Sequence, residues 1–461
     1  MRILSSVFAV VLLTSISVKA QEIHGKKLLK QAVSLEANDD TRGAIDLINS
    51  NLEKNGKYQS DIDLKLAALQ VNAYLLDSAK ISLSRAESFN NEKILEEIIL
   101  LKQTLASKKE HYQIAVALGN KFLIEKNNDS ALASFNEAIT FDTGNYEAYL
   151  GFGEIEENSG EIDASIVSFK QALTKYNNDI HEQSHVYEHL AKAYLAKRMA
   201  KEAISVCDAG IEIDPTNQEL IFRKGQGQYY QRNFRFAISS FNQFINSGGK
   251  VTEAYGYRAN CFYEIKKYEE AVSDFNQALA IDSTLTEAYY QRGLSYYQLK
   301  KYDNAKSDFE YLITLNENNF VAYNAVGVCD YANGNFKEAV ANFEKTVKIS
   351  TSQSYQYNLG MAYFENNQFD EALVVFNTLG KLNRDEPKYN VMHCKVLLAK
   401  KDYNSANEWV EASMKTNPYV KEYLEVSGEI YDKLGRTLDS KDMISRTNDI
   451  YGDPVDFTLK F

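Results

Sequence analysis

Small and bulky apolar positions return along this chain in a fixed rhythm. A small residue recurs at Gly119, Gly153, Ala191, Gly225, Ala259, Gly293, Gly327, Gly360, Cys394 and Gly428, in steps of 34 residues apart from one of 38 and one of 33. Twelve residues after each comes a second small residue, from Ala131 and Ser165 through Ala271, Ala305 and Ala339 to Ser440. Four further on the position is mostly bulky: Phe135, Phe169, Cys207, Phe241, Phe275, Phe309, Phe343, Phe376, Val410 and Ile444. Within residues 286–319, Ala288, Tyr289, Gly293 and Tyr296 fall at helical spacing, as do Ala305, Phe309 and Leu312. Between them Leu299-Lys300-Lys301-Tyr302-Asp303 is a short polar turn. The pattern predicts ten helix hairpins whose backbones approach at the small residues, with aromatic rings filling the space around that contact. One hairpin cannot bury its apolar stripe alone, so the units must stack. Such an array offers a long surface rather than one central core with a default cleft.

Proline supports the phasing independently. The chain has four, and Pro215, Pro387, Pro418 and Pro454 all fall between predicted units, where the backbone leaves or enters a helix. The glycine pair Gly248-Gly249 falls at a unit boundary and reads as a helix stop and turn.

Period, residue type and spacing within the unit together resemble the tetratricopeptide repeat, over residues 112–454. The resemblance implies an all-α fold: a right-handed superhelical solenoid of antiparallel helix hairpins. With the rest of the chain this gives four expected segments, namely a signal peptide at 1–20, degenerate helical repeats at 21–111, ten repeats at 112–454 and an extended tail at 455–461. In the degenerate part, residues 26–36 with 41–53 and 61–74 with 77–88 suggest two hairpins, and 91–106 an extra helix. In the tail, Val455, Phe457, Leu459 and Phe461 alternate with other residues, a strand period. The expectation is a tail that folds back as a cap on the last unit, or else adds as a strand to a partner.

Arg2, the apolar run 3–13 and the small-residue site Val18-Lys19-Ala20 before Gln21 read as a secretory signal, since the run is short for a membrane span. The cysteines Cys207, Cys261, Cys329 and Cys394 fall in separate predicted helices and read as small buried hydrophobes. The net charge of −12 and the lack of a basic stripe argue against nucleic acid and against an anionic membrane surface.

Two features could carry function. The first is His181-Glu182-Gln183-Ser184-His185, which matches the zinc-hydrolase pattern of two histidines one turn apart with a glutamate between them; His189 follows one turn later. Its setting argues for a polar linker and a helix beginning near Ser184, because the repeats leave no room for a substrate sheet. The second is the groove. In the tetratricopeptide family, the fifth, ninth, twelfth and thirteenth residues of a unit point into a concave surface. By that resemblance the twelfth positions are Tyr229, Tyr263, Tyr297, Tyr331 and Phe364, an aromatic ladder. The fifth and ninth add Tyr290, Tyr357, Asn260 and Asn324, with Phe222 and Gln226. Rings with interleaved amides suit an extended peptide. The alternative is that tyrosine at these positions is a habit of the repeat. The family's lysine-and-asparagine clamp for a terminal carboxylate lacks its lysine here. Arg258 and Arg292 replace the usual leucine and need no ligand.

The reading is an exported, non-catalytic scaffold in a bacterial periplasm that binds other proteins or peptides. It has no cofactor, no small-molecule substrate and no nucleic acid, and meets a membrane only through envelope partners. A structural subunit of an envelope assembly and a zinc-dependent hydrolase are the other readings.

Overall fold

The computed structural model describes residues 25–38, 40–51, 58–72, 76–89, 91–175, 180–249, 252–383, 385–447 and 454–461. The expected signal peptide, residues 1–20, lies outside them. Among the described residues the chain is helices and turns, with no strand. It packs as two compact units, residues 1–249 and 250–461. The break follows Gly248-Gly249, where Gly248 takes φ +84° and its backbone closes the preceding helix.

The first unit opens with a hairpin of residues 25–36 and Thr41–Ser50, then one of Gln59–Asn72 and Leu76–Ser88. The next element differs from expectation. The extra helix at 91–106 and the first helix of the regular repeats are one continuous helix, Leu95–Ile124. The junction Ala106-Ser107-Lys108-Lys109-Glu110 looks polar, yet it holds no glycine or proline and is mostly good helix formers. Its N-terminal half buries Ile98 with Leu64, Leu83 and Ala86 of the degenerate segment. Its C-terminal half buries Tyr112, Ala115 and Val116 against Ala131, Phe135 and Ala138 of Asn128–Phe141. The boundary at 111/112 is thus the middle of a helix. Three further hairpins complete this unit, ending at Phe234–Asn246. Six hairpins make the second unit, from Thr252–Glu264 to Thr437–Arg446.

One steric relationship repeats through both units. The phenylalanines Phe135, Phe169, Phe241, Phe275, Phe309, Phe343 and Phe376 are essentially fully buried. Each of six has its ring against the small residue sixteen positions earlier. A Cβ added to Gly119, Gly153, Gly225, Gly293, Gly327 or Gly360 would lie 2.3–2.9 Å from that ring. Where the bulky position shrinks to Cys207 or Val410, the small position grows to Ala191 or Cys394. At these two places the pair conserves volume, as close-packed interiors require.

The turn inside each of the ten regular hairpins, from residues 95–141 onward, is equally uniform. Lys126, Arg198, Arg232, Lys266, Lys300, Asn367 and Lys401 take φ of 58–62°, and Gly160, Gly334 and Gly435 take 77–80° at the same place. In each the chain reverses through paired backbone bonds, as where Lys300 N–H donates to Tyr297 O and Lys301 N–H to Tyr296 O, at 2.8 and 2.9 Å. This is the Schellman ending, which satisfies the last carbonyls of the helix. At seven of these ten turns the left-handed position is not glycine, so the fold sustains a local strain of about 1–2 kcal/mol each.

Ion pairs lock neighbouring helices, both within a hairpin and between one hairpin and the next. Arg258 grips Asp274 with two bonds of 2.7 Å, and Arg292 grips Asp308 at 2.9 and 2.6 Å. Asp330, fully buried, accepts from Lys306 Nζ at 2.7 Å and from Asn342 at 3.0 Å. All four cysteines are buried and unpaired, and burial pushes the thiols of Cys207, Cys261 and Cys329 up to about 12.

Candidate peptide-binding groove

The first helices of the second unit carry most of the expected ladder. The twelfth-position rings first of all serve the hairpin itself. Tyr263 packs on Tyr268 at 5.4 Å, Tyr297 on Tyr302 at 5.2 Å, Tyr331 on Phe336 at 5.3 Å and Phe364 on Phe369 at 5.9 Å. Tyr229, in the first unit, does the same with Phe234 at 5.9 Å. Each ring thus braces the start of the second helix, five residues on. Burial raises the phenol pKa of Tyr263, Tyr297 and Tyr331, and of Tyr290 to about 12. These are neutral, half-buried walls.

The groove is occupied. Residues 454–461 run extended across the first helices of five hairpins, in the direction opposite to repeat order. At one end Val455 N–H donates to Glu422 Oε1 at 2.8 Å. The hydroxyl of Tyr357 donates to Phe457 O at 3.1 Å, and Lys395 Nζ lies 5.0 Å above the Phe457 ring. Asn324 and Asn358 both donate to Lys460 O, at 2.8 and 2.6 Å, and Asn358 Oδ1 accepts from Lys460 N–H at 3.0 Å. At the other end the Phe461 ring meets Tyr297 edge-on, centroids 4.6 Å apart, and lies 6.1 Å from Phe309. Leu459 and Phe461 pack on the cluster around Val328, Phe343 and Leu359.

The alternation of the segment sorts its side chains. Val455, Phe457, Leu459 and Phe461 are turned into the groove and half-buried. Asp456 and Thr458 are exposed and bind each other: Asp456 Oδ1 accepts from Thr458 N–H at 2.9 Å and from its hydroxyl at 2.5 Å, and Lys460 Nζ reaches Asp456 Oδ2 at 2.5 Å. Those contacts, Lys460 foremost, hold the Asp456 carboxyl well below the usual range. The outer face therefore stiffens the segment in its extended form.

The tail folds back, as the cap expectation has it, but reaches well beyond the last unit. Val455 and Phe457 do border the core of the last hairpins, as a cap would. The segment then continues along the groove to Tyr297. Asn358, 0% exposed, was not among the expected groove residues. It is the sixth residue of Gln353–Glu365, whereas Asn324 is the fifth of Phe320–Ala332. Counting only the fifth, ninth and twelfth positions therefore passes over it. Asn260 and Tyr263 belong to a cavity-bearing stretch beyond Phe461, and Tyr290 and Phe364 flank the occupied part.

The histidine motif lies on the helix Ile180–Ala196, within its first turns rather than ahead of a start at Ser184. Its histidines face different carboxylates. His181 Nδ1 meets Asp214 at 2.7 Å, His185 meets Glu188 at 3.3 Å, and His189 meets Glu157 at 3.4 Å and Glu154 at 3.6 Å. Glu182 accepts from the Tyr146 hydroxyl at 3.0 Å. Asp214 itself is held down to about 2, chiefly by the Thr216 hydroxyl. Among the described residues no group of three His, Cys, Asp or Glu is arranged to hold a metal ion. The His189–Glu157, His189–Glu154 and Tyr146–Glu182 contacts join neighbouring hairpins, while His185 and Glu188 share one helix.

A repeated two-helix unit with a concave, peptide-sized groove defines a solenoid scaffold. Profiles described as tetratricopeptide repeat match residues 184–217, 286–319 and 354–385, and one described as TPR repeat matches 259–300. The chain is a tetratricopeptide-repeat protein, a fold that serves as a protein-interaction scaffold. No curated protein matches it. Among solved structures, it is similar to a tetratricopeptide repeat protein from Parabacteroides merdae, at 19% identity over 55% of this chain and 99% of that one, TM-score 0.40. It is similar to the C-terminal part of a TPR repeat-containing protein from Cytophaga hutchinsonii, at 19% identity over 50% and 95%, TM-score 0.45. It is also similar to YrrB, described as a TPR protein with an unusual peptide-binding site, at 16% identity over 41% and 94%, TM-score 0.37.

Proposed function

We propose that this protein is an exported scaffold of a bacterial periplasm that captures extended segments of partner proteins in the groove of its second unit, without bond chemistry. The observation that carries the reading is the seating of residues 454–461, with main-chain bonds to Asn324, Asn358 and Tyr357 and side chains between the rings. Backbone pairing gives grip and the apolar subsites give selectivity. Export rests on the signal-like residues 1–20. A photo-crosslinking residue placed at Tyr331 in cells should capture partner proteins, and one at the outward Lys348 should not. Equal capture at both positions would refute the groove as the docking surface. Cell fractionation tests the periplasmic assignment: the chain recovered with the cytoplasm, full length, would refute it.

A second reading, a structural subunit of an envelope assembly, draws on Leu95–Ile124. That helix exposes Ile99, Leu100, Ile114 and Ile124 at 49%, 63%, 54% and 85%. On that reading a native complex survives Tyr297→Ala with Tyr331→Ala and is lost with Leu100→Asp.

A further inference from the structure

The groove continues past Phe461. That ring belongs to the cluster of Tyr290, Leu294, Tyr297 and Ala325. One repeat away, the equivalents of Tyr290, Leu294 and Ala325 are Gly256, Asn260 and Gln291. They line a cavity of about 430 Å³ with Tyr257 and Ala288. A Cβ built on Gly256 would meet nothing within 4 Å. The same subsite that Phe461 fills is here opened by replacing a tyrosine with glycine.

Resting on the groove reading above, we propose that residues 455–461 are an intramolecular competitor for the partner. The partner is then an extended protein segment with an apolar residue at every second position and polar residues between. Three observations define that chemistry. The inward residues of the seated segment are Val455, Phe457, Leu459 and Phe461, spaced by two. Its peptide at Lys460 is read through both N–H and C=O by one amide, which fixes register without reading the Lys460 side chain. The side chains of the polar residues 456, 458 and 460 bond one another rather than the groove. A partner segment that runs on past the Phe461 position gains the Gly256–Gln291 cavity as well, which gives it a contact the competitor lacks. Only residues 448–453 separate the seated segment from the last described residue of the closing helix, Thr447. A tethered ligand on so short a connection acts at an effective concentration on the order of millimolar, so free partner binds at an apparent affinity lowered accordingly.

The test uses the full chain and a labelled peptide, Val-Asp-Phe-Thr-Leu-Lys-Phe, followed by fluorescence anisotropy. The Leu459→Asp/Phe461→Asp variant should bind it at least about tenfold more tightly than the wild type. The shuffled peptide Val-Phe-Leu-Phe-Asp-Thr-Lys, which breaks the alternation, should not bind. In the wild type, hydrogen exchange at the Lys460 amide should be slow and should accelerate as the peptide is raised to millimolar levels. Equal binding by wild type and variant would overturn the proposal, as would a helical, exchange-protected variant that does not bind. Should the variant not fold, the wild-type exchange experiment decides, and a Lys460 amide indifferent to the peptide overturns it. Concentration-dependent dimers that vanish in the variant would seat the segment in a second copy and overturn the intramolecular form. Persistent crosslinks at position 331 alongside any of these failures would leave the groove function standing and remove only the competitor.

Discussion

The side-chain amide of Asn358 pairs with the backbone of Lys460 in both directions, donating to its carbonyl at 2.6 Å and accepting from its N–H at 3.0 Å. Asn358 Nδ2 also donates to Asn324 Oδ1 at 2.8 Å, so the two buried amides form one unit. They do for an extended segment what a neighbouring strand would do. Asn358→Ala removes the partner of the Lys460 N–H and of Asn324 Oδ1, while the Lys460 carbonyl keeps Asn324. The second unit should lose about 1–3 kcal/mol in urea unfolding, and the Lys460 amide should exchange faster than in the wild type. Unchanged exchange at Lys460 would show that the amide pair does not hold the segment.

How far the sequence disclosed this arrangement depends on the range of the contact. The Gly–Phe pairs are legible because both partners sit in one hairpin, sixteen residues apart, and recur ten times in kind. The Asn358–Lys460 contact spans 102 residues and occurs once, so no periodicity announces it. The tail's alternation was visible, but its seat was not, since nothing local says which surface an amphipathic strand will find. The break expected between 91–106 and the repeats at 112 came from where the repeat pattern starts; without glycine or proline a polar stretch such as Lys108-Lys109-Glu110 continues the helix Leu95–Ile124 as its surface. Arg258 and Arg292, at the place of the usual leucine, have their guanidinium groups held by Asp274 and Asp308 within the hairpin, sixteen residues on and so legible in the repeat.

Gly327 and Phe343 make the steric rule testable. A Cβ at 327 would approach Phe343 Cε1 to 2.7 Å. Gly327→Ala should destabilise the second unit by about 1–3 kcal/mol through overpacking. Adding Phe343→Leu should recover part of that loss, since residues in contact are not additive. Hydrogen exchange should locate the damage in Phe320–Ile349 and its immediate neighbours. Loss spread evenly over the chain would contradict a structure built from nearest-neighbour contacts.

The left-handed turn residues offer the opposite sign. Lys300 holds φ 58°, a conformation that glycine adopts without penalty. Lys300→Gly should stabilise the second unit by about 0.5–1 kcal/mol, the relief of strain being partly offset by the greater freedom of the unfolded chain. Gly334→Ala, at φ 80°, should cost about 1 kcal/mol. Both are read from urea midpoints at constant m-value. A destabilised Lys300→Gly would mean that the lysine side chain earns its place by a contact of its own.

His189 supplies the pH-dependent prediction. Burial of its ring opposes the charged form, but Glu157 at 3.4 Å and Glu154 at 3.6 Å outweigh it and hold the imidazole above its ordinary value of 6.5. A histidine whose folded pKa is raised binds its proton more tightly in the native state than in the unfolded one. The resulting stability is fully present below the unfolded pKa and is lost as pH rises through the folded one. The contacts joining Ile180–Ala196 to Glu147–Asn158 should therefore weaken as pH climbs through neutrality. NMR titration of the His189 ring should give a pKa above 6.5, and the first unit should unfold at lower urea at pH 8.5 than at pH 6. His189→Gln removes the titrating group and should flatten that part of the profile. A ring titrating below 6.5 would mean that burial, rather than the two carboxylates, governs the site.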